Sequence, residues 1–335
     1  MRGIRRVLAG MLVALLIAGC GGSGSDGSTE TVAAPVEPPP LPSEIKVSLD
    51  GYKGPENVGL LMAEKRGYFD DAGLNVWLGA PLVPRNTISY VATRMDELGV
   101  AQLPQVAVAR ENGLPIVALG SVIPRPTAAL IWLGNSKIRT VADLEGKTIG
   151  TEGIPFQEDL LRIALEDAGL KLEDVEVKFV SNKLVPALLN GGVDAIFGGS
   201  ANIEGVELES RGAKPVIKPV QSFGVPAYDE LVVITREDRA AADPRAMRAF
   251  MAAVRRGTAA AIKDPEAAAK LIAKSPETNP TTTRGEIEAQ LKKTLPLLSS
   301  TGRLDPAQTA GFLDWMQEQG WTQQAMPASE VLADQ

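Results

Sequence analysis

The sequence predicts an α/β protein of two lobes joined by two crossing strands, with a helical tail. Three observations carry that expectation: the length, a strand–helix alternation that runs through the chain twice in one order, and an almost purely helical stretch after Arg239. At 335 residues the chain exceeds the roughly 100–200 residues of a typical domain, so two packed units are the default.

The first alternation begins at Ile45–Leu49, a β-branched run that reads as a strand. Val58 to Arg66 carries apolar residues at helical spacing and stops at Gly67. Leu74–Leu78 is a second strand, Asn86–Ala92 a short helix and Leu98–Ala101 a third strand. The order returns with a strand at Lys147–Gly150, a helix from Pro155 to Ala168 and a strand at Val175–Val180. A short helix at Val185–Asn190 and a strand at Val193–Phe197 complete it. Even the helix ends match in wording, Ala72-Gly73-Leu74 in one copy and Ala168-Gly169-Leu170 in the other. Strands separated by helices imply parallel βαβ units, whose ligands bind beyond the carboxyl ends of the strands. Leu231–Ile234 is the strand that carries the chain back, with crossings expected near Pro126–Ala129 and Pro226–Val232. In the tail, Asp243-Pro244, Asp264-Pro265 and Asp305-Pro306 each read as an N-cap followed by Pro at the first helical position. These helices are expected to brace the first lobe. Trp77 and Trp132 lie in strand-like runs and are expected in the core, as is Trp315 beside Phe312 and Met316; Trp321 staples the last helix.

Composition excludes whole classes of chemistry. There is no histidine, which removes Ser-His-Asp and Cys-His catalysis and zinc sites built on imidazole. A single cysteine removes a disulfide framework. A net charge of −7 argues against a nucleic-acid partner. No cofactor or metal is expected, and adjacent acids such as Asp70-Asp71 read as solvated turn ends rather than a catalytic pair.

The first residues read as an address. Arg2, Arg5 and Arg6 precede an apolar run from Val7 to Ala18, too short to span a bilayer comfortably, and Ile17-Ala18-Gly19-Cys20 follows. This run resembles the bacterial lipobox, which implies cleavage before Cys20 and diacylation of its thiol; the alternative is a membrane helix with an incidental Cys. Residues 1–19 are thus assigned as signal peptide and 20–44 as lipidated Cys and tether, Gly/Ser-rich and then Pro-rich. Losing the signal removes three Arg and no acid, leaving 31 basic against 41 acidic side chains and a net charge of −10. The first lobe is assigned to 45–127 plus 232–335 and the second to 128–231.

Gly67-Tyr68-Phe69-Asp70-Asp71-Ala72-Gly73-Leu74-Asn75-Val76 resembles a run of periplasmic substrate-binding proteins in the nitrate, sulfonate and thiamine-pyrimidine group. Asp143–Gly150 and Leu184–Leu189 extend the likeness; Asn202–Glu207 and Val225–Leu231 look most like the thiamine-pyrimidine branch. The resemblance spans Ile45 to the C-terminus. It implies a bilobal periplasmic-binding-protein fold of the type II kind, an ABC permease as partner, a monomer, and an extracytoplasmic location on a lipid anchor. One departure shapes the ligand. Anion binders of this type place small hydroxyl and glycine residues where this chain has Gly153-Ile154-Pro155-Phe156-Gln157. Pro155 has no N–H to give, which favours a flat heteroaromatic ligand over an oxyanion.

The candidate ligand-binding residues follow from position and chemistry. Asp50, Tyr52 and Asn57 lie in the loop after the first strand; Tyr52 can stack on a planar ligand, while Asn57 and Asp50 can equally serve as cap and turn. Gln105, past the third strand, offers a neutral amide or belongs to a helix that Pro104 starts. Phe156 and Gln157 open the second-lobe helix, Phe156 being either a stacking ring or core. Asn202 and Glu204 follow Gly198-Gly199, and Glu204 can accept from an exocyclic amine or merely favour a helix start. Tyr228 and Asp229 flank the returning strand, in the site or in hinge packing. The expected ligand is an aminopyrimidine related to thiamine, with a sulfonate, nitrate or flavin-type ligand as runner-up. The competing class is an enzyme on the same fold. The eukaryotic relative that the resemblance brings in makes the thiamine pyrimidine from its own histidine with iron, which a chain without histidine cannot do; a non-histidine enzyme, such as a lyase using carboxylates and water, stays as the alternative.

Overall fold

A computed structural model describes residues 44–81 and 86–334; the leader, Cys20 and most of the tether lie outside the described residues. The chain runs β1 (Ile45–Ser48), α1 (Val58–Lys65), β2 (Val76–Gly79), α2 (Thr87–Ala92), β3 (Leu98–Ala101), α3 (Leu103–Glu111) and β4 (Ile116–Ile123). After residues 124–127 come β5 (Ala128–Leu133), β6 (Thr148–Thr151), α4 (Pro155–Glu166), β7 (Glu176–Phe179) and α5 (Leu184–Leu189). Next are β8 (Ala195–Ser200), α6 (Glu204–Ser210) and β9 (Pro215–Pro219), and residues 220–230 lead back to β10 (Leu231–Arg236). The tail contains α7 (Glu237–Ala242), α8 (Pro244–Lys263), α9 (Pro265–Lys274), α10 (Arg284–Thr294), α11 (Pro306–Glu318) and α12 (Ala328–Val331).

Two five-stranded sheets result, ordered β2-β1-β3-β10-β4 and β7-β6-β8-β5-β9. In each, three strands are parallel neighbours and the fourth runs antiparallel: β10 against β3 and β4, and β5 against β8 and β9. The sheets are therefore mixed, where strand–helix alternation alone implies parallel pairing. The antiparallel member is in each case the strand that enters from the other lobe. The repeated Ala-Gly-Leu wording is structural: Gly73 and Gly169 adopt φ of 71° and 78°, the left-handed turn that lets a helix end and a strand begin. β4 and β5 are announced by no alternation because both faces are covered; every position but one in each is buried.

The tail's N-caps form as the Asp-Pro pairs foretell. Asp243 accepts from the backbone N–H of Ala246 at 3.0 Å, Asp264 from Ala267 at 3.1 Å and Asp305 from Ala307 at 2.9 Å. The tail does more than brace the first lobe. α8 and α9 pack on α1, but α10 packs on both α6 and residues 55–57. Trp321, beyond α11, meets Phe156 of α4 with ring centroids 6.4 Å apart. Trp132 is fully buried, whereas Trp77 is 46% exposed because β2 is an edge strand with one face to solvent.

Candidate functional site

Between the sheets lies a cleft of about 650 Å³. Its walls are the loops past the carboxyl ends of β1, β3, β6 and β8, together with both crossing segments. That placement follows from topology, since parallel strands of each lobe aim their ends at the interlobe gap.

The cleft is acidic. Asp50, Glu56, Glu204 and Glu230 line it from three segments of chain. Burial raises the carboxyl of each above its ordinary range. Glu56 is pushed up to about 8, by burial and then by the neighbouring charges of Asp50, Glu204 and Glu230, against a hydrogen bond from Asn202. The only basic side chains lining the described cleft are Lys53 and Lys183. Lys53 is spent on Glu277 at 2.9 Å, and Lys183 is exposed.

Each carboxylate is held. Asn57 Nδ2 donates to Asp50 Oδ1 at 2.9 Å, and Asn202 Nδ2 donates to Glu56 Oε1 at 3.2 Å and to Thr294 Oγ1 at 3.0 Å. Ser200 donates from its backbone N–H to Glu204 Oε2 at 2.7 Å and from its hydroxyl at 3.2 Å. Glu230 joins three segments: it accepts from Gln102 Nε2 at 2.7 Å, from the Thr127 N–H at 2.8 Å and from the Tyr228 hydroxyl at 3.3 Å. One buried carboxylate thus ties the two crossings to each other and to the start of α3. Two amide oxygens lining the cleft, Asn57 Oδ1 and Gln157 Oε1, are buried and accept from nothing in the protein. Gln157 reaches its position because residue 198 is glycine; a Cβ there would stand 2.3 Å from Gln157 Oε1.

Of the residues singled out by sequence, Asp50, Tyr52, Asn57, Gln105, Gln157 and Glu204 line the cleft. Asn57 is used on Asp50 rather than as a side-chain cap. Tyr52 is 44% exposed at the mouth, its hydroxyl 3.5 Å from Asn182 Nδ2 of the opposite lobe. Four residues lie elsewhere. Phe156 is 5% exposed and packs towards Trp321, because the next helical position, not its own, faces the gap. Tyr228 is fully buried against Phe312 at 4.4 Å, leaving only its hydroxyl to reach a cleft residue. Asp229 turns away from the cleft to the Ser121 hydroxyl and Gln308, and burial lifts its carboxyl to about 6. Asn202 stands behind Glu56 as its hydrogen-bond donor. Sequence reading missed Glu56, Gln102 and Glu230. Glu56 sits inside the loop already singled out, and Glu230 directly follows Tyr228-Asp229, so the signal was one residue away.

The strand orders and interlobe cleft define a bilobal periplasmic-binding-protein fold of the type II kind. The Escherichia coli periplasmic aliphatic sulphonate binding protein superposes with a TM-score of 0.70 at 16% identity, over 87% of this chain and 98% of that one. The chain belongs to the NMT1/THI5-like family, whose model matches residues 54–268. A Haemophilus influenzae protein named as a putative thiamine biosynthesis protein is 29% identical over 87% of this chain and 92% of its own. A formylaminopyrimidine-binding protein of Halalkalibacterium halodurans is 28% identical over 86% and 89%. A 4-amino-5-hydroxymethyl-2-methylpyrimidine phosphate synthase of Schizosaccharomyces pombe is 25% identical over 63% of each chain.

Proposed function

We propose that this chain is the extracytoplasmic, lipid-anchored receptor of an ABC importer and that it binds a thiamine-related aminopyrimidine by lobe closure. The observation that carries the reading is the cleft's chemistry. Six acidic side chains, Asp50, Glu56, Glu152, Glu204, Glu207 and Glu230, line it together with two unpartnered amide oxygens, while no arginine lines the described cleft. An aminopyrimidine supplies what these groups lack, an exocyclic amine and ring edges, whereas a sulfonate or nitrate would meet like charge. The formylaminopyrimidine-binding relative supports the same ligand class.

In this reading, lobe 1 comprises 45–127 and 232–335, lobe 2 comprises 128–231, and closure is rotation about the crossings that Glu230 ties together. Tyr52, at the mouth, covers the ligand's face. The anchor is Cys20, exposed by removal of residues 1–19. Substituting Cys20→Ala is expected to abolish lipidation, leaving the protein soluble or uncleaved; membrane retention of a cleaved Cys20→Ala protein would contradict the anchor.

The synthase relatives keep an enzymatic reading in view. The absence of histidine stands against a reaction that consumes one. Native mass spectrometry of the protein as isolated tests both readings. The expected result is a released aminopyrimidine that incubation with fresh protein leaves unchanged. A released sulfonate would overturn the ligand class, and turnover of the pyrimidine would overturn the receptor.

A further inference from the structure

We propose that the cleft holds its ligand as a cation, Glu56 handing its proton to a basic ring nitrogen on binding. This rests on the amino-heterocycle reading above and adds a protonation state and a residue to it. In the transfer the Glu56 O–H bond breaks and a ring N–H bond forms, leaving a carboxylate paired with a heterocyclic cation; no other reactant is consumed.

The geometry that supports it is the disposition of charge around Glu56. Asp50 faces it from its own loop, Glu204 from α6 and Glu230 from the foot of β10. Glu207, also on α6, lines the same cleft, and Glu152 lines it from the loop after β6. Lys53 is paired with Glu277, and Lys183 is exposed. α10, packed against residues 55–57, turns Thr294 towards Asn202, while its titratable Glu286 faces Ser210 and Arg211. Glu207 is itself paired with Arg211 at 2.6 Å, so a positive charge entering this space is met chiefly by Asp50, Glu204 and Glu230. The second, independent observation is the pair of unpartnered amide oxygens. Asn57 and Gln157 are each 2% exposed, and their free oxygens are acceptors awaiting N–H donors. Protonating a ring nitrogen adds one such donor. Glu56, pushed up to about 8, carries its proton at neutral pH and so has one to give.

Titration calorimetry across pH 5–9 tests this on the wild-type protein, with 4-amino-2-methylpyrimidine, its aniline analogue lacking ring nitrogens, and 4-aminopyridine. Below the pyrimidine's own pKa the ligand arrives charged, so binding releases the Glu56 proton and affinity falls up to about tenfold per pH unit. Above about 8 Glu56 is already ionised, so binding takes a proton from solvent and affinity falls again. The expected profile is therefore a plateau between two limbs, with proton release on one side and uptake on the other. 4-Aminopyridine, cationic throughout, should instead gain affinity up to about 8. The aniline should bind at least about tenfold more weakly than the pyrimidine at neutral pH. Glu56→Gln, with no proton to give, should lose the acid limb and the plateau, its affinity falling from the pyrimidine's own pKa upward; if that variant fails to fold, the aniline comparison on wild type still decides. A flat pyrimidine profile, or an aniline bound as tightly as the pyrimidine, overturns the proton transfer while leaving the pyrimidine receptor standing. The 4-aminopyridine profile without pyrimidine binding supports cation capture and overturns the pyrimidine reading instead. Binding of neither base overturns both.

Discussion

Two regions of this molecule draw on the same stretches of sequence, and they divide them position by position. The cleft takes acids and amides. The seam behind it takes rings: Tyr228 on Phe312, Phe312 on Trp315 at 5.7 Å, Trp315 edge-on to Trp321 at 5.1 Å, and Trp321 near Phe156. The boundary runs between neighbours in sequence. Phe156 goes to the seam and Gln157 to the cleft; Tyr228 goes to the seam and Glu230 to the cleft. The seam joins α4 of one lobe to the tail helices packed on the other. It is a structural clasp, while the cleft carries the unspent hydrogen-bonding capacity. The lesson is that an aromatic in a binding-site motif is as often what holds the site as what touches the ligand.

The comparison breaks most clearly at Phe312, which is 1% exposed and central to the seam. Phe312→Ala should cost about 3–5 kcal/mol of stability in denaturant unfolding while leaving ligand affinity within about twofold. A binding loss larger than the folding loss would merge the two regions. Glu230 belongs to both sides of the boundary. Glu230→Ala strips the acceptor from Gln102, Thr127 and Tyr228 and should cost about 1–3 kcal/mol of stability together with binding, measured by unfolding and titration. Glu204→Gln should do the reverse of Phe312→Ala. Its amide oxygen still accepts from Ser200, so the unfolding midpoint should hold, while affinity falls about tenfold to a hundredfold, or about 1–3 kcal/mol.

The most gradual effect is in the empty protein's response to pH, spread over several pH units. A carboxyl whose folded pKa is raised binds more protons folded than unfolded, so its contribution to stability is largest at low pH and falls as pH rises. For Glu56 that fall runs from the ordinary glutamate value of 4.5 to about 8. Asp50, Glu204 and Glu230 are shifted in the same direction. Thermal unfolding should therefore show lower stability at pH 8 than at pH 5, with a slope of at most about 1.4 kcal/mol per pH unit from Glu56. Glu56→Gln should make the slope shallower; an unchanged slope would mean that Glu56 is not the shifted group.

Much of the scaffold was legible because its signals are local. Leu98–Ala101 emerged with the bounds expected of it, the Asp-Pro pairs capped their helices, and the repeated Ala-Gly-Leu turns marked equivalent corners. β4 and β5 were not, since a strand covered on both faces loses its alternation. The site was legible as segments but not as side chains. Which of Phe156 and Gln157 faces the gap depends on a rotation of one residue about α4, fixed by Trp321 more than 160 positions away in sequence. Glu56 looks like an ordinary loop acid until Asn202, Thr294 and three other carboxylates are brought around it. Those contacts are long-range, and no local pattern encodes them.

The measurement that bears most directly on the acidic cleft as a receptor for an amino-heterocycle is calorimetric titration of the purified protein at neutral pH. The ligands are 4-amino-2-methylpyrimidine, taurine and nitrate. Saturable heat with the pyrimidine and none with either anion is the expected result. Tight binding of taurine or nitrate with no pyrimidine heat would contradict it.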